Sequence, residues 1–469
     1  MKKVFLVACC WLLVTGLSAQ TVTEKLQKAF QKFEADSQLK HAISSLYVID
    51  AATGQVVFDK NSQIGLAGAS TQKIITAASA FELLGKEYRY KTEFVMGKDL
   101  HTIDQWWMFV KASGDPTFGS WRFTGTKDSI VFRRVFEGLQ NRNPKMIWIV
   151  DEVFGTASIP DGWIWQDIGN YYGASPFLVN WKENQYEVLF DSHDVGEATG
   201  IVKIGMDTSG LTFYNEVKAG HVGSGDNAYI YSTPYSNRVF IRGTIPPNQK
   251  SFSISGSVPD PALNFSSDLK LFLMNKSNKI INPQTYVFRS TRSHNEILGT
   301  PSFGTFDTIY THYSPSLDSI IYWFLKKSIN LYGEALVKTF AYEKQGFGST
   351  DSGVNIVKKF WKDKGLDEDE LNIYDGSGLS PQNRITTHAQ VEVLKYAKTR
   401  DWFPNFYDAL PEFNSMKMKS GTISDVKGFC GYQKAKDGKE YIFSFLVNNY
   451  NGKTSGVVNK MYKVLDELK

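Results

Sequence analysis

The sequence predicts an α/β (α+β) fold, in which a layered domain of strands and helices is interrupted by a large, mostly β insertion. A chain of 469 residues is long enough for two or three domains. Strand and helix patterns open the chain and return in its last third, whereas aromatic and β-branched segments dominate between them. We therefore expect one discontinuous domain over residues 20–90 and 291–469. The insertion, over residues 91–290, is long enough to be nested itself.

The N-terminus has the layout of a secretory signal peptide over residues 1–19. A positively charged start precedes an apolar run from Val4 to Leu17, and small residues follow. The run is too short for a membrane span. A lipoprotein cleavage box ending at Cys9 is an alternative, but the apolar run continues past it. We expect an exported, periplasmic protein without a stable membrane span.

The composition is that of an ordinary soluble protein, with 42% apolar residues, 21% charged residues and a formal net charge of +4. This balance, without a dense basic run, argues against nucleic acid as a partner. Cys9 and Cys10 lie within the expected signal peptide, so Cys430 has no intramolecular partner. Because its neighbours form an apolar, strand-like run, a buried thiol is favoured over a nucleophile at Cys430.

Residue spacing predicts the elements on both sides of the insertion and within it. The first segment contains a helix over 21–36, a hairpin of strands Ile43–Asp50 and Gln55–Asp59, and a helix over 68–85. The insertion contains strands Trp106–Lys111, Met146–Val150, Val202–Ile204, Tyr229–Tyr231, Arg238–Arg242 and Phe252–Ile254. The last segment contains helices Ser316–Lys326, Leu331–Tyr342, Val354–Lys364, His388–Lys398 and a C-terminal helix, and strands Met416–Thr422, Gly428–Gln433 and Tyr441–Asn448.

Ser70 and Lys73 lie near the start of the helix predicted after the hairpin. Because they are three residues apart, their side chains share one face of that helix. A serine hydroxyl becomes an effective nucleophile when a nearby base takes its proton, and a lysine with a lowered pKa is such a base. A helix cap with a surface lysine is the plain alternative. The spacing alone is weak, since it recurs at Ser37/Lys40, Ser267/Lys270 and Ser424/Lys427.

Two further motifs lie in the last segment of the chain. Ser328-Ile329-Asn330 lies between two predicted helices, and Lys419-Ser420-Gly421-Thr422 lies on the strand that opens the final meander. Together with Ser-x-x-Lys, such patterns form the signature of class A β-lactamases and penicillin-binding proteins. The order of the three motifs and their structural contexts are harder to obtain by chance than any one motif.

Four of these residues, Ser70, Lys73, Ser328 and Asn330, have an expected catalytic part in acyl transfer. Ser70 would attack a carbonyl carbon with Lys73 as its base, and a second cation such as Lys419 would favour the neutral form of Lys73. Ser328 would relay a proton to the leaving amine. Asn330 would orient Lys73 and the substrate amide.

The expected substrate-binding residues are Lys419, Ser420, Gly421 and Thr422. The hydroxyls of Ser420 and Thr422 would join Lys419 in holding a substrate carboxylate through charge-assisted hydrogen bonds. The backbone N–H groups of Ser70 and Thr422 are the candidate donors to the oxyanion of the tetrahedral intermediate.

On these motifs the chain resembles the class C low-molecular-mass penicillin-binding proteins of the D-alanyl-D-alanine carboxypeptidase/endopeptidase family. Gly114-Asp115-Pro116-Thr117 is similar to a segment early in that family's insertion. The stretch from Pro160 to Ala174 and the segment Asp375-Gly376-Ser377-Gly378-Leu379-Ser380 are also similar to family segments. The resemblance covers nearly the whole mature chain. It implies a serine DD-peptidase/β-lactamase-like domain, with an antiparallel sheet and helices on both faces.

The resemblance implies a penicillin-binding serine peptidase that cleaves the D-Ala-D-Ala bond of peptidoglycan stem peptides, or an equivalent bond in a cross-link. β-Lactam antibiotics would be covalent inhibitors on Ser70, and no metal or organic cofactor is implied. Ser420, Gln72 and Gly333 depart from the family pattern without removing a required functional group. Asp375 is expected to be a turn residue that fixes a loop near the site.

Two alternatives share the same fold. One is a β-lactam hydrolase, which needs an efficient deacylating base that the sequence does not assign. The other is a non-catalytic cell-wall binding module, against which the complete motif set argues.

Overall fold

The computed structural model describes residues 20–99, 105–151, 153–276, 282–289 and 303–469. The predicted signal peptide, with Cys9 and Cys10, lies outside these described residues. Within the described ranges, no helix combines the length and the apolar character needed to cross a membrane.

Helices and strands are numbered in chain order over the described residues. The helices are α1 (Val22–Glu34), α2 (Lys73–Leu84), α3 (Asp128–Leu139), α4 (Trp165–Ile168), α5 (Pro261–Lys276), α6 (Leu317–Lys326), α7 (Asn330–Gln345), α8 (Thr350–Asp363), α9 (Thr387–Lys398), α10 (Phe403–Ala409) and α11 (Thr454–Leu465). The strands are β1 (Ile43–Asp50), β2 (Val56–Lys60), β3 (Lys91–Asp99), β4 (Trp106–Lys111), β5 (Pro144–Asp151), β6 (Gln185–Asp191), β7 (Gly200–Ile204), β8 (Thr212–Ala219), β9 (Asn227–Tyr231), β10 (Arg238–Ile245), β11 (Phe252–Ser257), β12 (Gln284–Arg289), β13 (Phe303–Tyr313), β14 (Leu371–Asn372), β15 (Arg384–Ile385), β16 (Glu412–Phe413), β17 (Met416–Ile423), β18 (Val426–Lys434) and β19 (Glu440–Asn448).

A six-stranded sheet joins the first and last segments of the chain. Its order is β16-β17-β18-β19-β1-β2, and every neighbouring pair is antiparallel. The central pairing runs from Ile43 opposite Asn448 to Asp50 opposite Tyr441. The N-terminal hairpin therefore shares one sheet with the C-terminal meander.

Alternating side chains of this sheet supply two separate cores. Leu46 and Val48 of β1 pack with α1 and α11 on one face. Tyr47 and Ile49, the intervening residues, pack with α2, α6, α7, α8 and α9 on the other. This is the period-2 burial expected of a strand that is covered on both sides. The predicted fold class, an antiparallel sheet with helices on both faces, is confirmed.

The predicted helices of the outer segments occur within a few residues of their expected bounds. At α1, Thr21 and Glu24 form a reciprocal capping box, which satisfies two backbone N–H groups at the helix start. The helix predicted over 68–85 differs at its beginning, because residues Ala69–Gln72 form a 3-10 turn before α2 begins at Lys73. It ends at Gly85, whose φ of +83° suits glycine.

The insertion is less purely β than the sequence predicted. Its five-stranded sheet, ordered β12-β5-β4-β3-β13, packs one face against α3 and α5. Neither helix was predicted. In α3, the buried residues Val131, Phe132, Val135 and Leu139 have helical spacing, but their aromatic and β-branched character also favours strands.

Residues 185–257 form two three-stranded sheets, β11-β6-β7 and β8-β10-β9, around a core of their own. The strand β13 pairs with β3 of the five-stranded sheet, from Phe303 opposite Asp99 to Tyr313 opposite Lys91. We propose from this pairing that the insertion extends to Tyr313 and carries residues 185–257 as a nested part.

Candidate active site

A cavity of about 500 Å³ lies where the layered domain meets the insertion. Ser70, Ser328, Asn330 and Thr422 line it from the layered domain. Asp167 and Tyr229 are among the residues that line it from the insertion. The three sequence motifs therefore meet at one cavity, although they lie far apart in the chain.

Ser70 lies in the 3-10 turn that leads into α2. The preceding residue, Ala69, has a φ of +46°, in the left-handed region that a residue with a Cβ rarely adopts. Such strain persists where the surrounding structure fixes the backbone, often at functional sites. The turn places Ser70 in the wall of the cavity, and the buried helix α2 that follows fixes the position of the turn.

Lys73 is fully buried, and its ammonium group donates three hydrogen bonds. The acceptors are Oγ of Ser70 at 2.8 Å, Oδ1 of Asn330 at 2.6 Å and the backbone oxygen of Ser377 at 2.7 Å. The last two are carbonyl oxygens, which accept and never donate. They would hold both N–H bonds of a neutral amine and leave its lone pair facing Ser70. The geometry suits removal of the Ser70 proton.

The surroundings of Lys73 favour that neutral form. Burial, followed by the charge of Lys419, holds the pKa of Lys73 well below its usual range, while Asp375 and Glu334 oppose the shift. Burial, together with the charge of Asp375, raises the pKa of Glu334 to about 8. A protonated Glu334 opposes the shift less, so the neutral amine is favoured further.

Ser328 and Asn330 lie at the turn between α6 and α7. Ser328 has a φ of +57°, and its Oγ accepts a hydrogen bond of 2.9 Å from Nζ of Lys419. Asn330 begins α7, and its Nδ2 donates to the backbone oxygen of Tyr172 at 2.7 Å. That bond fixes the amide so that Oδ1 faces Lys73. The turn thus places Ser328 beside Lys419 and Asn330 beside Lys73.

Lys419 lies on β17 and is 1% exposed. Besides Ser328, its Nζ donates to the backbone oxygen of Ser420 at 2.8 Å. Burial lowers the pKa of Lys419 to about 7, and the nearby charge of Lys427 acts in the same direction. The charged form of Lys419 is therefore less favoured than that of an exposed lysine.

Gly421 is required by the close approach of β17 to the start of α2. A Cβ at this position would lie 2.4 Å from the backbone oxygen of Gly68 and 2.9 Å from the backbone nitrogen of Ser70. Glycine therefore allows the strand to lie beside the 3-10 turn that contains Ser70. This contact brings the backbone of Thr422, the next residue, to the same edge of the cavity as Ser70.

Asp375 fixes the loop between β14 and β15. It is fully buried, and its carboxylate accepts hydrogen bonds from five donors on both sides of the site. The donors are the backbone N–H groups of Gly378 and Ser380 and the side chains of Gln72, Trp163 and Asn383. The loop in turn supplies the Ser377 carbonyl to Lys73. These contacts agree with the turn-fixing part expected for Asp375.

A buried carboxylate connects the insertion with α7. Oε1 of Glu183 accepts hydrogen bonds from Ser120 at 2.7 Å, from Nε of Arg122 at 2.8 Å and from the hydroxyl of Tyr332 at 2.9 Å. Glu183 is 0% exposed and has a left-handed φ of +54°. Because Tyr332 follows Asn330 by two residues on α7, this cluster connects the insertion to the first turn of that helix.

The structure brings Ser70, Lys73, Ser328, Asn330 and Lys419 together. Nζ of Lys73 reaches Ser70 and Asn330, and Nζ of Lys419 reaches Ser328. The two lysines lie beneath the cavity, and the other three residues line it.

The predicted substrate-binding residues differ in their positions relative to the cavity. Thr422 lines the cavity, whereas Ser420 contacts Lys419 through its backbone oxygen. The contacts of Tyr172, Ser377 and Lys427 were not predicted. Tyr172 and Ser377 contribute backbone carbonyls, which leave no signal in residue type.

Comparison with known proteins agrees with this geometry. The family model for D-Ala-D-Ala carboxypeptidase 3 (S13) matches residues 26–412. A D-alanyl-D-alanine carboxypeptidase of Actinomadura sp. (strain R39) is 24% identical over 89% of this chain and 80% of its own length. A D-alanyl-D-alanine carboxypeptidase of Haemophilus influenzae is 22% identical over 85% of this chain and 83% of its own length.

Solved structures show the same fold over almost the whole chain. Penicillin binding protein 4 of Haemophilus influenzae superposes with a TM-score of 0.74 at 18% identity, covering 94% of this chain and 98% of that one. The same protein in complex with a β-lactam superposes with a TM-score of 0.70. Since the family model covers most of the sequence, this chain belongs to the D-Ala-D-Ala carboxypeptidase 3 (S13) family.

Proposed function

We propose that this chain hydrolyses the D-Ala-D-Ala bond of peptidoglycan stem peptides, or an equivalent bond in a cross-link, through an acyl-enzyme on Ser70. The observation that carries the proposal is the 2.8 Å contact between Nζ of Lys73 and Oγ of Ser70, with the remaining bonds of Lys73 directed to carbonyl oxygens. Family membership supports the same reaction class.

In the acylation step, Oγ of Ser70 attacks the carbonyl carbon of the penultimate D-alanine and Lys73 takes its proton. The new C–O bond gives a tetrahedral oxyanion, for which the backbone N–H groups of Ser70 and Thr422 are the proposed donors. The close packing of Gly421 against the start of α2 supports this pairing.

Departure of the terminal D-alanine requires a proton on its nitrogen. Ser328 is the proposed relay, because its Oγ bonds to Nζ of Lys419 at 2.9 Å and lines the cavity. The proton is the one that Lys73 took from Ser70, so Lys73 is neutral again once the C–N bond has broken and the amine has left, while the acyl group stays on Ser70. Water then attacks the ester and gives a proton to Lys73. Lys73 returns this proton to Oγ of Ser70 as the ester C–O bond breaks, which releases the shortened peptide acid and restores the free serine.

The free carboxylate of the terminal D-alanine is the proposed partner of Lys419 and Thr422. A β-lactam also carries a carboxylate beside its reactive carbonyl, so it would occupy the same positions and acylate Ser70. We propose export to the periplasm for this activity, in line with the N-terminal sequence.

Incubation with a penicillin, followed by intact-mass measurement, tests the proposal. We expect one covalent adduct on the wild type and on the control variant Ser37→Ala, and none on Ser70→Ala. D-Alanine release from a tripeptide ending in D-Ala-D-Ala should follow the same pattern. An adduct that persists on Ser70→Ala would refute the assignment. Sustained turnover of the penicillin would instead favour a β-lactam hydrolase, and an adduct without D-alanine release a non-catalytic module.

A further inference from the structure

A further buried lysine, Lys427, lies next to Thr422. Lys427 lies on β18, where it is the cross-strand neighbour of Thr422 on β17. Its Nζ donates a hydrogen bond of 2.8 Å to Oγ1 of Thr422. Lys427 is only 8% exposed, and its Nζ lies 4.7 Å from the centroid of the Phe429 ring. These contacts hold the Lys427 side chain in one position.

This bond determines what the Thr422 hydroxyl can offer to a ligand. A hydroxyl has one hydrogen to donate and two lone pairs. When the ammonium of Lys427 donates to one lone pair, the hydrogen of Thr422 is left for an acceptor in the cavity. Thr422 itself lines the cavity, whereas Lys427 does not. With Lys427 as its donor, the hydroxyl of Thr422 can donate its own hydrogen bond to a ligand in the cavity.

Charge provides a second argument. Lys419 and Lys427 form no ion pair with a carboxylate among the described residues. Lys419 bonds to Ser328 and Lys427 bonds to Thr422, and both of these partners line the cavity. Burying a cation without a counter-ion is costly. Burial lowers the pKa of Lys427 to about 8. A carboxylate in the cavity would supply the missing negative charge to both lysines.

We propose that Lys427 is a specificity-determining residue, which orients the Thr422 hydroxyl and adds a second cation to the subsite for the substrate's terminal carboxylate. The inference rests on the proposed function, and it extends the predicted motif by one residue from the neighbouring strand. In the sequence, Lys427 belonged to the Ser424/Lys427 pair, one of the patterns that matched Ser-x-x-Lys by spacing alone.

Two peptide substrates that differ only at the terminus test the proposal. One is an acetylated tripeptide ending in D-Ala-D-Ala, and the other ends in D-Ala-D-alaninamide, so it lacks the carboxylate. For Lys427→Met we expect kcat/KM on the acid to fall about tenfold through KM, as for loss of one charge-assisted hydrogen bond. On the amide, kcat/KM should change less than about twofold.

Lys434→Met is the matched control, because Lys434 is the exposed last residue of the same strand. Lys427→Arg, which keeps the cation, should preserve the preference for the acid. Equal loss on both substrates, or no loss on either, would overturn the inference. Should Lys427→Met unfold, Lys427→Gln gives the same comparison. A wild type that cleaves neither peptide would overturn the proposed function and this inference with it, whereas an active wild type with an unchanged preference in the variant overturns the inference alone.

Discussion

Nζ of Lys73 donates a hydrogen bond of 2.6 Å to Oδ1 of Asn330, and this contact joins the first motif to the second. Asn330 is also bonded through Nδ2 to the backbone of Tyr172 in the insertion. One amide therefore connects Lys73, α7 and the insertion. The position of Lys73 depends on the other two.

Replacement of Lys73 by arginine should impair catalysis while keeping a long side chain with N–H donors. A guanidinium stays protonated and accepts no proton, so Ser70 would lose its base. We expect the rate of penicillin acylation to fall by about 10²- to 10⁴-fold, the usual contribution of a general base. Lys40→Arg, taken from a serine–lysine pair with the same spacing, should leave the rate unchanged. Near-normal acylation of Lys73→Arg would rule out Lys73 as the base.

The activity on acidic substrates should fall as the pH rises above about 7. The pKa of Lys419 is lowered to about 7 in the free enzyme, and only its charged form attracts the substrate carboxylate. A pH profile of kcat/KM should therefore decline on the alkaline side for a peptide ending in D-Ala-D-Ala. The same peptide ending in D-alaninamide should lack this decline. Identical profiles for both peptides would contradict the prediction.

The free energy of unfolding should rise with pH between about 7 and 10. In the folded protein the pKa values of Lys419 and Lys427 are about 7 and about 8, below the ordinary value of 10.5. In this window the unfolded chain binds more protons than the folded one, so raising the pH favours folding. Urea denaturation at several pH values would measure the slope. Lys427→Met should have a smaller slope than the wild type and than Lys434→Met.

Substitution of Asp375 by asparagine should destabilise the protein and impair catalysis together. The carboxylate accepts from five donors, and an amide nitrogen in its place would face N–H groups without accepting from them. We expect a loss of about 3 kcal/mol in unfolding free energy and a reduced kcat, because the Ser377 carbonyl would shift from Lys73. Asp369→Asn, an exposed site nearby, should change stability by less than about 0.5 kcal/mol.

Removal of the Tyr332 hydroxyl should weaken the connection between the insertion and α7. The hydroxyl donates to buried Glu183, so Tyr332→Phe should cost about 1.5–3 kcal/mol, as for a hydrogen bond to a charged group. Tyr322→Phe is the matched control, since the Tyr322 hydroxyl bonds to no described residue. Chemical denaturation measures both. Equal stability of the two variants would show that Glu183 does not need this donor.

The sequence predicted those parts of the molecule that depend on local patterns. Strand β1 was predicted at its observed bounds, Ile43–Asp50. Its strand-like pattern ends where the turn that contains Gly54 begins. Helix α3 was missed, since the aromatic and β-branched residues on its buried face also suit strands. Helix α5 was missed because its buried face includes Pro261, Asn264 and Ser266, which obscure the helical spacing of its apolar residues. The order of the three motifs and their structural contexts predicted Ser70, Lys73, Ser328, Asn330 and Lys419 as site residues, and the structure brings these five residues together.

The remaining contacts of the site could not be read from the sequence. The acceptors supplied by Tyr172 and Ser377 are backbone carbonyls, which every residue carries. Lys427 becomes informative only when strand pairing sets it opposite Thr422. Burial decides whether a lysine is an ordinary surface cation or one with a lowered pKa, and burial depends on the complete fold.

The pairing of β1 with β19 also sets the order in which the enzyme can assemble. In N-to-C synthesis the hairpin and Ser70 emerge early, yet the partner strand ends only at Asn448. Contacts of such large sequence separation form slowly, because a long loop must close before they are made. Ser70 therefore stays without its neighbours on β17 until nearly the whole chain is available. A partly synthesised or C-terminally truncated chain would carry the serine but not the site.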